Sequence, residues 1–514
     1  MGRLILGLIS AALLVLAFPR FEWWWWLAWV GLAPLLAALH GLSPAGALGV
    51  SWPAGMLFFM ALCAWINQVA GVTPVHYVLM GIYLGGYWAA FGLIYAHLTR
   101  VGGFGPVAAA PALWVSLDYL RTHAGFLALP WGMLGQSQYQ QLPVIQIASL
   151  TGVYGVTFII VMVNAALAQG WLAWRAGRTG SRPRPRPPFR LAAVAAALAL
   201  AGSLAYGYHA LLTPPATTHL RISLIQGNIP QERKWDECFR EEIVQTYRTL
   251  TLRAVRQGKP HLIVWPESAL PGLLLQDTGL MNAVVSLVRE TKTPLVLGSA
   301  QRPKIGPPDW AAAHRFNSVF LITPAGEIGG VYHKMHLLPF GEYLPYRETL
   351  PWPAGFAALA GNFVPGREPT LLSLGAFRFA APVCWETLFP HLCRRLAAQG
   401  AAFMVNLTNE AWFGDSAAPW QFLMMNVFRA VENGVALARA ANTGISCLID
   451  PTGRIVERVR REGRSVFVEG ILTGEIPLSS GPTFYARHGD WFAQANVALT
   501  LLLAVVAPFR KRRW

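Results

Sequence analysis

The sequence predicts an α/β domain carried on a bundle of eight membrane-spanning helices, and three observations predict it. Of 514 residues, 54% are hydrophobic and only 13% charged, a balance too apolar for an ordinary soluble protein. Apolar stretches recur at about 3–18, 24–40, 45–66, 75–98, 106–122, 148–174, 191–212 and 490–509, most of them near the roughly 20 residues that cross a bilayer. Between the seventh and eighth, residues 213–489 alternate strand-like and helix-like patterns. The expected domains are therefore a bundle at 1–212, an α/β domain at 213–489, and a last span with a basic tail at 490–514.

The first stretch looks like a signal peptide, but Phe18-Pro19-Arg20 offers no small-residue cleavage site, so an uncleaved span is expected. Trp23 to Trp26 suit an interfacial belt at the head of the second span. Asp118 and Arg121, three apart in the fifth span, can neutralise one another on one helical face. The loop at about 123–147 either covers helix ends or dips toward a substrate. The formal charge of +16 does not point to nucleic acid, because arginines concentrate in the loop 175–190 and at Arg510 to Arg513. Basic loops stay on the cytoplasmic side. Counting spans from them puts both termini inside and 213–489 outside, on the periplasmic face.

Within 213–489 the expected strands are 219–225, 261–265, 294–298, 317–322, 329–332, 377–383, 403–407, 446–450, 454–458 and 465–471. Helices are expected at 241–256, 281–290, 386–398 and 420–440, and no repeat of solenoid period is present. Cys384 then sits at a strand-to-helix turn, where a helix dipole would favour the thiolate.

The five cysteines, Cys63, Cys238, Cys384, Cys393 and Cys447, form no CxxC pair and imply neither a disulfide framework nor a zinc site. A cysteine nucleophile needs a base and an oxyanion partner. Glu267, beyond the apolar strand and Pro266, is a candidate base, or else a solvated loop glutamate. Lys334 is one of only six lysines among 41 basic residues, which argues against surface filler. Its compact ammonium suits a developing oxyanion better than a guanidinium would. His333 and His336 lack a third metal ligand of matching context, so no metal is expected. The stretch Asn406 to Gly414 carries Trp412 and Phe413, which either pack in the core or meet acyl chains at a cleft. No GxSxG, HExxH, Walker A or dinucleotide fingerprint occurs, which removes the commonest hydrolase, zinc and nucleotide enzymes.

WPES at 265–268, HK at 333–334, PFGEYLP at 339–345, VCWE at 383–386 and NEAWFG at 409–414 together resemble the carbon–nitrogen hydrolase (nitrilase) superfamily. Joined to seven preceding spans and one following, the whole chain resembles the bacterial apolipoprotein N-acyltransferase family. The resemblance implies a nitrilase-like αββα sandwich with Glu267 as general base, Lys334 as oxyanion partner and Cys384 as nucleophile. By motif it also implies Glu342 as an orienting glutamate and Glu386 as a further active position. Trp235, Trp412 and Phe413 match positions lining the lipid cleft. Trp385 departs from the family's frequent tyrosine, which keeps an aromatic surface and loses a phenol.

The implied reaction moves an sn-1 acyl chain from a membrane phospholipid, with phosphatidylethanolamine the expected donor, through a cysteine thioester to the α-amine of a diacylglyceryl-cysteine apolipoprotein. No cofactor is implied, and a monomer in the bacterial inner membrane is expected. The alternative is a membrane-tethered amidase for a small amide, which would not need seven spans. A transporter or scaffold is the other; few ionisable residues lie mid-span, against transport.

Overall fold

The structure, a computed structural model, describes residues 1–100, 105–178, 189–212, 218–303, 307–353, 361–479 and 481–510. It divides into two compact units. The first comprises Met1–Asn67, Val72–Thr213 and His488–Trp514; the second comprises Pro214–Arg487 with Gln68–Gly71.

In the first unit five described helices are long and apolar enough to cross a membrane: Pro44–Leu62, Pro74–Arg100, Val153–Arg178, Phe189–Leu212 and Trp491–Phe509. The other three expected spans are helical but shorter or broken. Gly2–Leu16 has 15 residues, and Pro106–Thr122 has 17 with Asp118 and Arg121 inside it. The stretch 24–40 divides into a 3-10 segment and two short helices, Ala28–Gly31 and Ala33–Leu39. The arginine loop from 179 to 188 and Lys511 to Arg513 of the tail lie outside the described residues.

Helices Pro44–Leu62 and Pro74–Arg100 meet along a seam of glycines. A methyl group at Gly55 would lie 2.6 Å from Trp88 Cβ, and one at Gly85 would lie 2.7 Å from Met56 Cγ and 2.9 Å from its amide nitrogen. Small residues thus let the backbones close, the usual device where lipid supplies no hydrophobic drive between helices. Arg121 donates to Asp118 Oδ1 at 2.7 Å, as the spacing predicts, and also to the carbonyls of Leu129 and Trp131. The loop 123–147 is therefore folded into this unit, with Trp131, Leu134, Gln136 and Gln138 buried. Trp23 is 86% exposed, in keeping with a belt.

The second unit holds two six-stranded sheets. One runs β12-β1-β2-β3-β4-β5, built from β1 His219–Gln226, β2 Leu262–Val264, β3 Leu295–Gln301, β4 Phe316–Ile322, β5 Ile328–His333 and β12 Gly470–Pro477. The other runs β11-β10-β9-β8-β7-β6: β6 Leu372–Leu374, β7 Phe377–Ala380, β8 Phe403–Thr408, β9 Ala436–Ala441, β10 Cys447–Ile449 and β11 Ile455–Arg458. Both follow one pairing sequence. From β12 to β5, and again from β6 to β11, neighbours are antiparallel, parallel, parallel, antiparallel, antiparallel.

The sheets pack face to face through β1, β9, β10 and β12. Helices Arg240–Gly258 and Thr278–Thr291 cover the first sheet, burying Ile243, Tyr247, Val284 and Leu287 against Ile263, Trp265 and Phe320. Helices Pro390–Ala397 and Ala418–Asn433 belong with the second.

Three expectations need correction. The helix expected at 420–440 stops at Asn433, where Gly434 adopts φ +65°, and the alanine-rich continuation is instead the central strand β9. Pairing with β8 and β10 overrides the helical propensity of ALARAA. The closing strand expected at 465–471 lies at 470–477, set by its full-length pairing with β1. The strand before Cys384 ends at Ala380, and the helix after it begins only at Pro390, with a 3-10 turn over Cys384–Leu388 between.

Candidate active site

Glu267, Lys334 and Cys384 each lie beyond the end of a strand. β2 runs into Trp265-Pro266, whose ring fixes the exit direction, and then Glu267. β5 ends one residue before Lys334, whose N–H donates to Asn317 O on the neighbouring strand β4 at 2.8 Å. On the second sheet β7 leads through Pro382-Val383, which forms a parallel bridge with Leu407, to Cys384. Cys384 itself has φ +46°, a left-handed conformation unusual for a residue with a Cβ, so the turn presents its side chain at a backbone cost.

These residues converge on one buried network. Lys334 Nζ donates to Glu342 Oε1 at 2.9 Å and lies 3.5 Å from Glu267 Oε1. Asn317 Nδ2 donates to both Glu267 Oε1, at 2.7 Å, and Glu342 Oε1, at 2.9 Å. Glu267 Oε2 accepts from the Asn409 backbone N–H at 2.9 Å, which ties the base to the loop after β8 on the other sheet. Glu342 Oε2 accepts from Leu338 N–H at 2.7 Å. Both carboxylates are therefore held by donors on two sides, leaving little rotational freedom.

Glu386 does a separate job. Fully buried, it accepts from Met335 and His336 N–H with Oε1 at 2.7 and 3.1 Å, and from Val383 N–H with Oε2 at 2.7 Å. Tyr332 OH completes the set at 2.9 Å. One carboxyl thus joins the residues just after Lys334 to the residue just before Cys384.

Electrostatics follow from burial and these partners. Burial alone would lower the Lys334 ammonium, but the Glu342 and Glu267 carboxylates outweigh it and raise it, which favours the cation. Burial, with the Glu267 charge adding, pushes the Cys384 thiol up, against the Lys334 charge. This runs against the expectation of a dipole-stabilised thiolate: no long helix starts at Cys384, and burial favours the thiol over the thiolate. Burial pushes Glu386 up to about 7, opposed by its N–H donors.

Lys234 is a further buried amine beside the base. Its Nζ donates to the Glu267 carbonyl at 3.2 Å, and burial lowers it to about 8.

The aromatic candidates separate. Trp235 and Trp412 are 52% and 47% exposed, while Phe413 is buried in a stack with Phe422 at 5.7 Å, and Trp385 is buried against Phe389. His333 pairs with Ser318 and His336 packs on Phe389. Among the described residues no three His, Cys, Asp or Glu side chains group as a metal site. Asn317 and Lys234 are not singled out by the sequence, and Asn409 enters only as part of the NEAWFG motif. A polar Asn inside the apolar strand FNSVFLI was the signal available for the first.

Comparison with known proteins agrees in both parts of the chain. The carbon-nitrogen hydrolase family model matches residues 221–482, and the model of the apolipoprotein N-acyltransferase N-terminal domain matches 10–166. The chain is 38% identical to an apolipoprotein N-acyltransferase of Geobacter metallireducens, covering 99% of this chain and 95% of that one. It is 35% identical to one from Bradyrhizobium diazoefficiens, with 86% and 81% covered, and 30% identical to one from Rhodopseudomonas palustris, with 99% and 95% covered.

Proposed function

The chain belongs to the apolipoprotein N-acyltransferase family, and from that premise we propose how its own residues carry the acyl group. The Cys384 S–H proton passes to Glu267 as the sulfur attacks the sn-1 ester carbonyl of a membrane phospholipid. Lys334 faces the oxyanion that forms. Collapse breaks the ester bond, Glu267 returns the proton to the leaving oxygen, and a lysophospholipid departs from a Cys384 thioester. The α-amine of a diacylglyceryl-cysteine lipoprotein then attacks the thioester, loses a proton to Glu267, and leaves as an amide while the thiol is restored. Glu342 holds Lys334, and Glu386 sets the distance between Lys334 and Cys384.

The observation that carries this reading is the single network joining Lys334, Glu267, Glu342 and Asn317, with Glu386 tying it to the Cys384 turn. Exposed Trp235 and Trp412 are assigned to the acyl chains, and buried Phe413 and Trp385 to packing beneath them. Phosphatidylethanolamine is the proposed donor. The shorter helices complete eight spans in the inner membrane, with both termini cytoplasmic, residues 213–489 periplasmic, and the protein a monomer. Anchoring both substrates in the plane of the membrane replaces a search through water by lateral diffusion.

The deciding experiment is intact mass of purified protein incubated with phosphatidylethanolamine and no acceptor. A gain of one fatty acyl group, released by neutral hydroxylamine and absent from Cys384→Ala, is expected; Cys384→Ser should retain a stable ester. No gain in wild type with bound phospholipid would overturn the first half-reaction.

A further inference from the structure

A second polar network reaches Glu267 through its other carboxylate oxygen, and the proposed reaction does not use it. Oε1 belongs to Asn317 and Lys334, whereas Oε2 accepts from the Asn409 N–H at 2.9 Å. The Asn409 side chain is engaged elsewhere. Its Oδ1 accepts from Asn442 Nδ2 at 3.0 Å, and its Nδ2 donates to Gln231 Oε1 at 3.0 Å. Asn442, fully buried just past β9, has a partner for every polar group. Its Oδ1 accepts from Ile229 N–H at 2.9 Å and its Nδ2 also donates to Ile229 O at 2.8 Å. Its own N–H donates to Thr408 O at 3.1 Å, and its carbonyl accepts from Asn228 N–H at 3.0 Å.

Two loops meet on this one side chain. The first follows β8 and carries Asn409; the second follows β1 and runs from Gly227 to Trp235. In the second, Asn228 adopts φ +53°, which asparagine tolerates better than most residues, and Lys234 Nζ donates to the Glu267 carbonyl at 3.2 Å. The β1 loop is therefore tied at one end to Asn442 and at the other to the backbone of the base. We propose that Asn442 is a positioning residue for acylation: acting through the Asn409 side chain, it seats the Asn409 N–H on Glu267 Oε2 and so fixes the rotation of the base about its last bond.

The last torsion of a glutamate is broad, so a carboxylate anchored by one oxygen leaves the other free to swing. With Oε1 committed to Asn317, the direction of Oε2 is set by the Asn409 N–H, its hydrogen-bond donor among the described residues. That N–H is in turn only as fixed as the loop that bears it. A reacting group misplaced by about an ångström loses on the order of 100-fold in rate. One lost hydrogen bond to a charged group costs roughly tenfold or more. The inference rests on the reading of Glu267 as the base.

The test is a double-mutant cycle on the single-turnover rate of acylation from phosphatidylethanolamine, followed by intact mass on the full chain in detergent. Asn409→Ala keeps the backbone N–H and drops both side-chain anchors; Asn442→Ala removes the inner anchor alone. Each should slow acylation roughly tenfold at saturating donor, with the half-saturating donor concentration within about twofold of wild type. Because both act through one N–H, the double variant should be about as slow as the slower single. Independent effects would instead multiply to about 100-fold. Hydrogen exchange at the Asn409 amide, read by mass spectrometry, needs no lipid and should speed up about tenfold in Asn442→Ala.

A multiplicative double variant, a loss confined to the half-saturating concentration, or unchanged amide exchange in Asn442→Ala overturns the proposal. If Asn442→Ala does not fold because Ile229 is left unpaired, Asn409→Ala decides: a wild-type rate there means that the N–H is seated without the side chain Asn442 holds, and the proposal fails. Glu267→Gln at the wild-type rate would count against Glu267 as base, and a wild type that gains no acyl group against the proposed function, so the failures are distinguishable. Amide exchange decides the seating of Asn409 in either case.

Discussion

At the scale of single residues, Glu386 is the clearest target because one carboxyl satisfies four donors around the turns that carry Lys334 and Cys384. Glu386→Ala leaves those N–H and O–H groups buried and unpaired, each at a cost of roughly 1–3 kcal/mol. We expect a fall of several degrees in thermal midpoint. Acylation by phospholipid should slow by at least about 100-fold, as for a reacting group displaced by an ångström. Time-resolved intact mass beside a melting curve measures both. Asn317→Asp tests the bridge between the two glutamates: it removes the shared donor and adds a third carboxyl, and acylation should fall roughly 10- to 100-fold, or about one charge-assisted hydrogen bond. An acylation rate equal to wild type would remove Asn317 from the site. Glu267, Lys334, Glu342 and Cys384 were legible from sequence because each stands in a short motif, the first two just after a strand. Asn317 was not, since its importance lies in Glu267, 50 positions away, which only strand order brings close. Asn409 stands in the NEAWFG motif, but nothing there announces its N–H bond to Glu267, 142 positions away.

At the scale of elements, most strands of the α/β unit were legible because a β-branched or aromatic run has few other uses. The exceptions are instructive. β9 is made of Ala436-Leu437-Ala438-Arg439-Ala440-Ala441, good helix formers that become a strand through pairing on both edges, and nothing local announces it. The spacing places a helix start at Glu386, directly after the Cys384 turn, whereas Pro390 marks the actual start. Among the apolar helices, hydropathy shows where segments lie but not how closely two of them approach. The glycine seam is an element-scale feature with its own prediction. Gly85→Leu would drive a side chain into the Met56 backbone, and the helix pair would have to separate. A drop of several degrees in detergent melting temperature is expected, with loss of folded yield. Gly86→Leu on the same helix, where a methyl would meet nothing within 4 Å, should be nearly silent.

At the scale of the whole molecule, buried ionisable groups make stability depend on pH. Glu386 is raised by burial from 4.5 to about 7, so between those values the folded chain holds a proton that the unfolded chain has released. Its contribution is therefore greatest below about 4.5 and declines as pH rises to about 7. His336, lowered by burial from 6.5 to about 4, works in the opposite sense below 6.5, so the clean observable is a difference between variants. Wild type should lose stability relative to Glu386→Gln on going from pH 5 to pH 8; a gap independent of pH would contradict the assignment. The same long-range construction has a consequence in time. Glu267 and Lys334 come from the first sheet and Cys384 from the second, and Glu267 acquires its second donor only when residue 409 is seated. A chain whose two sheets have not yet met therefore holds Cys384 apart from Glu267 and Lys334, the groups proposed to activate it. On the proposed mechanism, the sulfur stays silent toward the surrounding lipid esters until the sheets meet.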